Sequence, residues 1–207
     1  MIDNWLSRCP LIAILRGIQT HEVDATFSAL FSLGIVIAEI PLNSPEALKS
    51  IRQAVSLYGD RMLVGAGTVI RVSEVTAAQE VGARVILSPN ADQSVVRAAK
   101  RLDLAVIPGV ATATEAFAMI EAGADALKVF PADVVGPRFL TGLKAVTPTE
   151  TLFVPVGGVD ATTIPIWLKA GAKGLGVGSA LYKPGALRDV TIERARLLLE
   201  STRTASD

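Results

Sequence analysis

Short apolar runs alternate along this chain with longer stretches whose apolar residues recur at helical spacing. The runs are Leu11 to Leu15, Ile35 to Ile40, Met62 to Ala66, Arg84 to Leu87, Leu104 to Ile107, Asp125 to Pro131, Leu152 to Val156, and a last one holding Leu175 and Val177. They are short and apolar on both faces, as the strands of a parallel sheet covered on both sides are. Between them the pattern predicts helices from about Thr20 to Leu33, from about Val72 to Val81, from Asp160 toward Leu168 and from about Leu187 to Glu200. Further helices are expected to open at Ser44-Pro45-Glu46, after Asn90-Ala91-Asp92-Gln93 and at Thr112-Ala113-Thr114-Glu115. Serine before proline and an acid is a start signal, and Asn90 with Gln93 or Thr112 with Glu115 has capping-box spacing. Val81-Gly82-Ala83, Ala122-Gly123-Ala124 and Ala170-Gly171-Ala172 repeat one motif where a helix stops and a strand begins, glycine supplying the left-handed residue.

Eight strands alternating with eight helices predict an α/β fold with a parallel sheet and crossover helices, closed as a (β/α)₈ TIM barrel. An open doubly wound sheet is the rival, and the lack of a GxGxxG turn after the first strand counts against it. No polar linker or low-complexity tract divides the chain, so residues 1–207 are expected to form a single domain. A short N-terminal helix is expected before the first strand, and the polar tail from Ser201 to Asp207 is expected to be frayed.

Charge and composition narrow the function classes. Acids and bases balance at 20 each, so no global field points to nucleic acid or to a membrane surface. No apolar run reaches 18 residues and no signal peptide is visible, so a membrane partner is not expected. Cys9 is the only cysteine, which excludes an internal disulfide and fits a cytoplasmic location. With His21 the only histidine, no metal site of the usual zinc type is expected.

In such a barrel the chemistry collects where strands run into the loops that follow. Lys128 sits in the middle of an apolar strand that Pro131 closes. It is either a lysine whose head snorkels to water, or an amine kept partly neutral to attack a carbonyl. Strand alternation puts Ile12, Ile14 and Arg16 on one face, as it does Ile37, Glu39 and Pro41, and Ala126, Lys128 and Phe130. Glu39 is therefore either a structural partner of Arg16 or an acid–base group. Burial and Arg16 would lower the Lys128 pKa, and an ionised Glu39 would raise it again. Gly157-Gly158 follows the seventh strand, and Gly176-Val177-Gly178-Ser179 covers the eighth. Such glycines either make tight turns or leave N–H groups at a helix start for a phosphate, and their joint occurrence at these two junctions favours the phosphate. Together these groups suit cleavage of a 2-keto acid, with a covalent Schiff base on Lys128 and no separate cofactor.

Several longer motifs carry a family resemblance: Ile12-Ala13-Ile14-Leu15-Arg16-Gly17, Ala38-Glu39-Ile40-Pro41-Leu42-Asn43-Ser44-Pro45, Gly65-Ala66-Gly67-Thr68-Val69, Ser88-Pro89-Asn90, Ala111-Thr112-Ala113-Thr114-Glu115-Ala116, Leu127-Lys128-Val129-Phe130-Pro131 and Val156-Gly157-Gly158-Val159. From about Pro10 to Tyr182 the chain resembles the bacterial class I pyruvate aldolases acting on 2-keto-3-deoxy-6-phosphogluconate and 2-keto-3-deoxy-6-phosphogalactonate. The resemblance implies a metal-free Schiff-base mechanism, a phosphorylated 2-keto-3-deoxy sugar acid as substrate, and a homotrimer. By motif it implies Lys128 as the Schiff-base lysine and Glu39 as the acid–base. It further implies Arg16 and Thr68 at the pyruvate carboxylate, Pro89 and Phe130 along the pocket, and Gly157, Gly158, Gly178 and Ser179 at the phosphate. Val156 and Ile40-Pro41-Leu42-Asn43-Ser44 look like the galactonate branch, where the gluconate branch has threonine and Thr-Leu-Arg-Thr. That branch would place the protein in the De Ley–Doudoroff route of galactonate breakdown. A gluconate-specific or dual-specificity aldolase, and a phosphate-binding barrel without aldolase chemistry, remain the alternatives.

Overall fold

A computed structural model describes residues 2–203 of the chain. Nine strands are present: β1 Leu11–Ile14, β2 Ile37–Pro41, β3 Leu63–Gly67, β4 Val85–Leu87, β5 Ala105–Ile107, β6 Gly109–Val110, β7 Leu127–Val129, β8 Phe153–Pro155 and β9 Leu175–Val177. Helices alternate with them: α1 Ile2–Leu6, α2 Val23–Ser32, α3 Ala47–Tyr58, α4 Val72–Glu80, α5 Gln93–Arg101, α6 Ala113–Glu121, α7 Ala132–Lys144, α8 Ile164–Ala170 and α9 Arg188–Arg203. Every strand residue is buried, which explains the unbroken apolar runs. Buried residues from Ile2 to Leu198 form one contiguous hydrophobic core.

All strand pairs are parallel, in two sheets with strand orders β5-β4-β3-β2-β1-β9 and β6-β7-β8. The eight-stranded ladder expected from the sequence is therefore not one continuous sheet. The fifth strand ends before Pro108, which has no N–H to give to a ladder, and the residues just beyond it form the additional strand β6 in the second sheet. The Pro108 carbonyl still accepts from the Lys128 N–H at 2.8 Å, and the Val106 carbonyl from the Asp125 N–H at 3.0 Å. On the other side a single parallel bridge joins Val156 to Gly176.

Several helix starts differ from the sequence expectation. Ser44 does not cap α3. Its hydroxyl accepts the Gly17 N–H at 2.9 Å, and Glu46 enters the helix in a left-handed conformation. Asn90 does not cap α5 either, because Asp92 accepts the N–H groups of Ser94 and Val95. Thr112 does cap α6, but Glu115 turns to the N–H of Ala111. Asp160 holds the turn before α8 through the N–H groups of Thr162 and Thr163. Gly82, Gly123 and Gly171 adopt positive φ as the repeat requires. Ser201–Arg203 is not frayed: α9 continues through it, with the Ser201 and Thr202 hydroxyls bonded to the carbonyls of Leu197 and Leu199. The rest of the predicted tail, residues 204–207, lies outside the described residues.

Candidate active site

The period of two along each strand carries Glu39 and Lys128 to one interior. Glu39 pairs in register with Ile14 on one side and Gly65 on the other, and Lys128 with Gly109 and Val154. Residues paired across parallel strands point to the same face, and Glu39 and Lys128 act on each other's charge across the interior between the two sheets. Glycine at 67 leaves the space that the Glu39 carboxylate fills. Glu39 is 1% exposed and Lys128 5%. Burial pushes the Glu39 carboxyl up to about 7, against the opposite pull of Lys128 and Arg16. Burial also lowers the Lys128 pKa, with Arg16 acting the same way and Glu39 opposing. Among the described residues Glu39 Oε2 has no hydrogen-bond partner, and Lys128 Nζ lies 4.5 Å from the Phe130 ring centroid. A buried acid that can hold or release a proton near neutrality, beside an amine driven toward its neutral form, can carry out imine chemistry.

Arg16 leaves the end of β1 exposed, and its Nη1 donates to Asn43 Oδ1 at 2.6 Å. With the Gly17–Ser44 bond, two consecutive residues after β1 are clipped to two after β2. A cavity of about 400 Å³ opens there. Its wall unites Arg16, Phe130, Val156, Gly157, Gly158, Gly178 and Ser179, all singled out from the sequence. Lys128 and Glu39 are not on that wall, and Phe130 links Lys128 to it. Half-buried Thr68 and Pro89 follow β3 and β4 but do not line it, and Thr68 holds an unusual φ of 56°.

The glycines meet the cavity in a different way from the helix start expected. The helix after Gly158 begins only at Ile164, and the one after Ser179 only at Arg188. Gly157 and Gly158 instead take left-handed φ of 107° and 65°. Among the described residues the N–H groups of Gly158 and Ser179 donate to no protein acceptor, whereas that of Gly157 belongs to the Val156–Gly176 bridge. Such donors on a cavity wall suit an anion. The wall also holds Asp160 and Lys183, which the sequence reading gave no ligand role. Asp160 carried only a capping signal, and Lys183 lies in a patternless loop. His21 is exposed, and no cluster of three or more potential metal ligands exists among the described residues.

The family model for KDPG and KHG aldolase matches residues 2–196. The chain belongs to that family. Over 202 residues this aldolase is 43% identical to the 2-dehydro-3-deoxy-6-phosphogalactonate aldolase of Escherichia coli (strain K12), covering 98% of each protein. It is 29% identical over 191 residues to the 2-dehydro-3-deoxy-phosphogluconate aldolase of Zymomonas mobilis, covering 91% of this chain and 89% of that one. The solved structure described as native KDPGal superposes with a TM-score of 0.94 at 43% identity, over 96% of this aldolase and 97% of that chain.

Proposed function

We propose that this aldolase cleaves 2-dehydro-3-deoxy-6-phosphogalactonate, reversibly, to pyruvate and D-glyceraldehyde 3-phosphate through a Schiff base on Lys128. The observation that carries the reading is the burial of Lys128 and Glu39 in one interior, with the pKa of one lowered and of the other raised. The neutral Lys128 amine adds to the C2 ketone, and loss of water leaves an iminium. Glu39, acting as base through water, takes the C4 hydroxyl proton. The C3–C4 electron pair moves toward the iminium, and the aldehyde leaves. Glu39 then returns a proton to C3 of the enamine, and water releases pyruvate from Lys128. Arg16 and Thr68 receive the carboxylate, Pro89 and Phe130 line the path, and Gly157, Gly158, Gly178 and Ser179 hold the phosphate. The lysine itself is the electron sink, so the route needs neither metal nor organic cofactor.

The choice of the galactonate compound is supported by Val156 and by the greater identity to the galactonate-named relative. We read the two sheets as one single-domain (β/α)₈ barrel, supported by the hydrogen bonds across Pro108 and the Val156–Gly176 bridge. The homotrimer and the cytoplasmic location rest on the family resemblance and on the lone unpaired Cys9. Borohydride added with pyruvate should fix a covalent adduct on Lys128 and inactivate the protein. No adduct, or one mapped to Lys144 or Lys169, would overturn the mechanism. Pyruvate release from the two C4 epimers decides the substrate.

A further inference from the structure

Building on that reading, we propose that Lys183 is the cation of the phosphate end of this site, the residue by which the aldolase selects phosphorylated over unphosphorylated 2-keto-3-deoxy acids. Lys183 lies on the wall of the 400 Å³ cavity together with Gly158 and Ser179. It also lines a neighbouring cavity of about 460 Å³ that shares Ile14, Arg16, Gly178 and Ser179 with the first. Lys183 therefore borders both spaces. It is exposed and has no ion-pair or hydrogen-bond partner among the described residues.

Charge accounting on that wall singles it out. The other charged residues there are Arg16 and Asp160. Arg16 is already engaged by Asn43. Asp160 is held ionised by hydrogen bonds from Thr162 and Thr163, so it repels a phosphate. Free backbone N–H groups at Gly158 and Ser179 orient an anion but bring no net charge. A phosphate close to Asp160 needs a cation, and Lys183 is the one not otherwise engaged. Lys183 makes no ion pair with the nearby acid Glu22, whose two oxygens accept the N–H groups of Gln19 and Gly185. That Gly185 bond and the contact of Pro184 with Gly17 hold the loop bearing Lys183 against the end of β1.

The test compares Lys183→Met, Lys183→Arg and the control Lys173→Met, which removes one exposed charge before β9. Lys183→Met should raise KM for the phosphorylated acid, and the inhibition constant of inorganic phosphate, by about ten- to a hundred-fold, the usual worth of a charged hydrogen bond. KM for the unphosphorylated acid should not follow, and Lys183→Arg should restore most of the loss. A Lys183→Met protein that binds inorganic phosphate and the phosphorylated acid as Lys173→Met does overturns the assignment. Pyruvate trapping on wild-type Lys128 is read separately. Trapping with no effect at Lys183 refutes only this proposal, whereas no trapping refutes the aldolase site beneath it.

Discussion

The carboxylate of Glu39 occupies the space where a side chain at position 67 would begin. A Cβ on Gly67 would collide with both Glu39 oxygens. The absent side chain at 67 therefore sets where the acid can sit. Gly67→Ala should cost about 1–3 kcal/mol of stability as overpacking and displace the carboxylate. Misplacing a reacting group by about 1 Å can cost about a hundredfold in rate. We expect turnover of Gly67→Ala to fall by about that factor while the protein still folds, as read by steady-state kinetics beside a thermal melt. Wild-type turnover in this variant would show that the position of Glu39 is irrelevant to the reaction.

Stability should depend on pH through the same carboxyl. Burial raises its pKa from 4.5 to about 7 in the folded protein. Between those values the folded state keeps a proton that the unfolded chain has released. The folded state is therefore undiminished below 4.5 and loses stability as pH rises to about 7, by roughly 3 kcal/mol. Lys128, with its pKa lowered from 10.5, acts oppositely at higher pH: the folded state sheds a proton that the unfolded chain retains, so stability recovers toward 10.5. Glu39→Gln cannot ionise. Urea unfolding at about pH 5 and about pH 8 should show the variant gaining about 2–3 kcal/mol on the wild type between the two. A constant gap would mean that Glu39 titrates as an ordinary exposed acid.

Turnover of Glu39→Gln should fall by about 10²–10⁴-fold, because the amide keeps the shape and loses the base. Single-turnover cleavage within a few-fold of wild type would leave Glu39 as a structural neighbour of Arg16.

The central pair was legible because strands covered on both faces still alternate. Counting by two from Ile37 and from Ala126 reaches Glu39 and Lys128, and the two buried groups act on each other's charge in the structure. Gly82, Gly123 and Gly171 were readable for a local reason, since a helix stop needs only its own backbone. Misreadings fell where a distant partner outbid the local one. Ser44 looks like a cap, yet Gly17, far along the chain, takes its hydroxyl. The fifth run ends before Pro108 as read, but β6 beyond it, only two residues long and paired with the Lys128 strand, was too short to show a pattern. Lys183 could not be found by pattern at all: only the folding of its loop toward β1 brings it to the cavity.

Asn43 should act as a positioning residue for Arg16. Its Oδ1 accepts from Arg16 Nη1 at 2.6 Å, and both side chains are exposed, so little else fixes the guanidinium. Asn43→Ala should raise KM for pyruvate in the condensation direction by about three- to tenfold, the worth of one hydrogen bond, with kcat nearly unchanged. Asn43→Asp should restore the lower KM by pairing with Arg16. If both variants bind pyruvate like the wild type, Arg16 is oriented without Asn43.

The choice between epimers turns on Val156. It is 6% exposed, lies on the cavity wall, and is bridged to Gly176, where a Cβ would press on its Cγ2 methyl at 2.5 Å. Glycine at 176 thus leaves room for a branched residue at 156. Threonine has nearly the shape of valine and would fit the same space, adding a hydroxyl that can bond the C4 hydroxyl in one configuration. Valine offers no such partner, and a buried hydroxyl left unmatched costs about 1–3 kcal/mol, or roughly ten- to a hundred-fold in rate. The other configuration gains nothing from either residue, so its preference reflects what valine withholds from its competitor. We expect efficient cleavage of the phosphogalactonate compound and equal or lower kcat/KM for the phosphogluconate compound. Val156→Thr should raise the gluconate-to-galactonate ratio of kcat/KM, measured by pyruvate release from each epimer. A ratio that stays level or falls would remove Val156 from the discrimination and leave the residues after β2, with Asn43 and Ser44 clipped to Arg16 and Gly17, as the determinant.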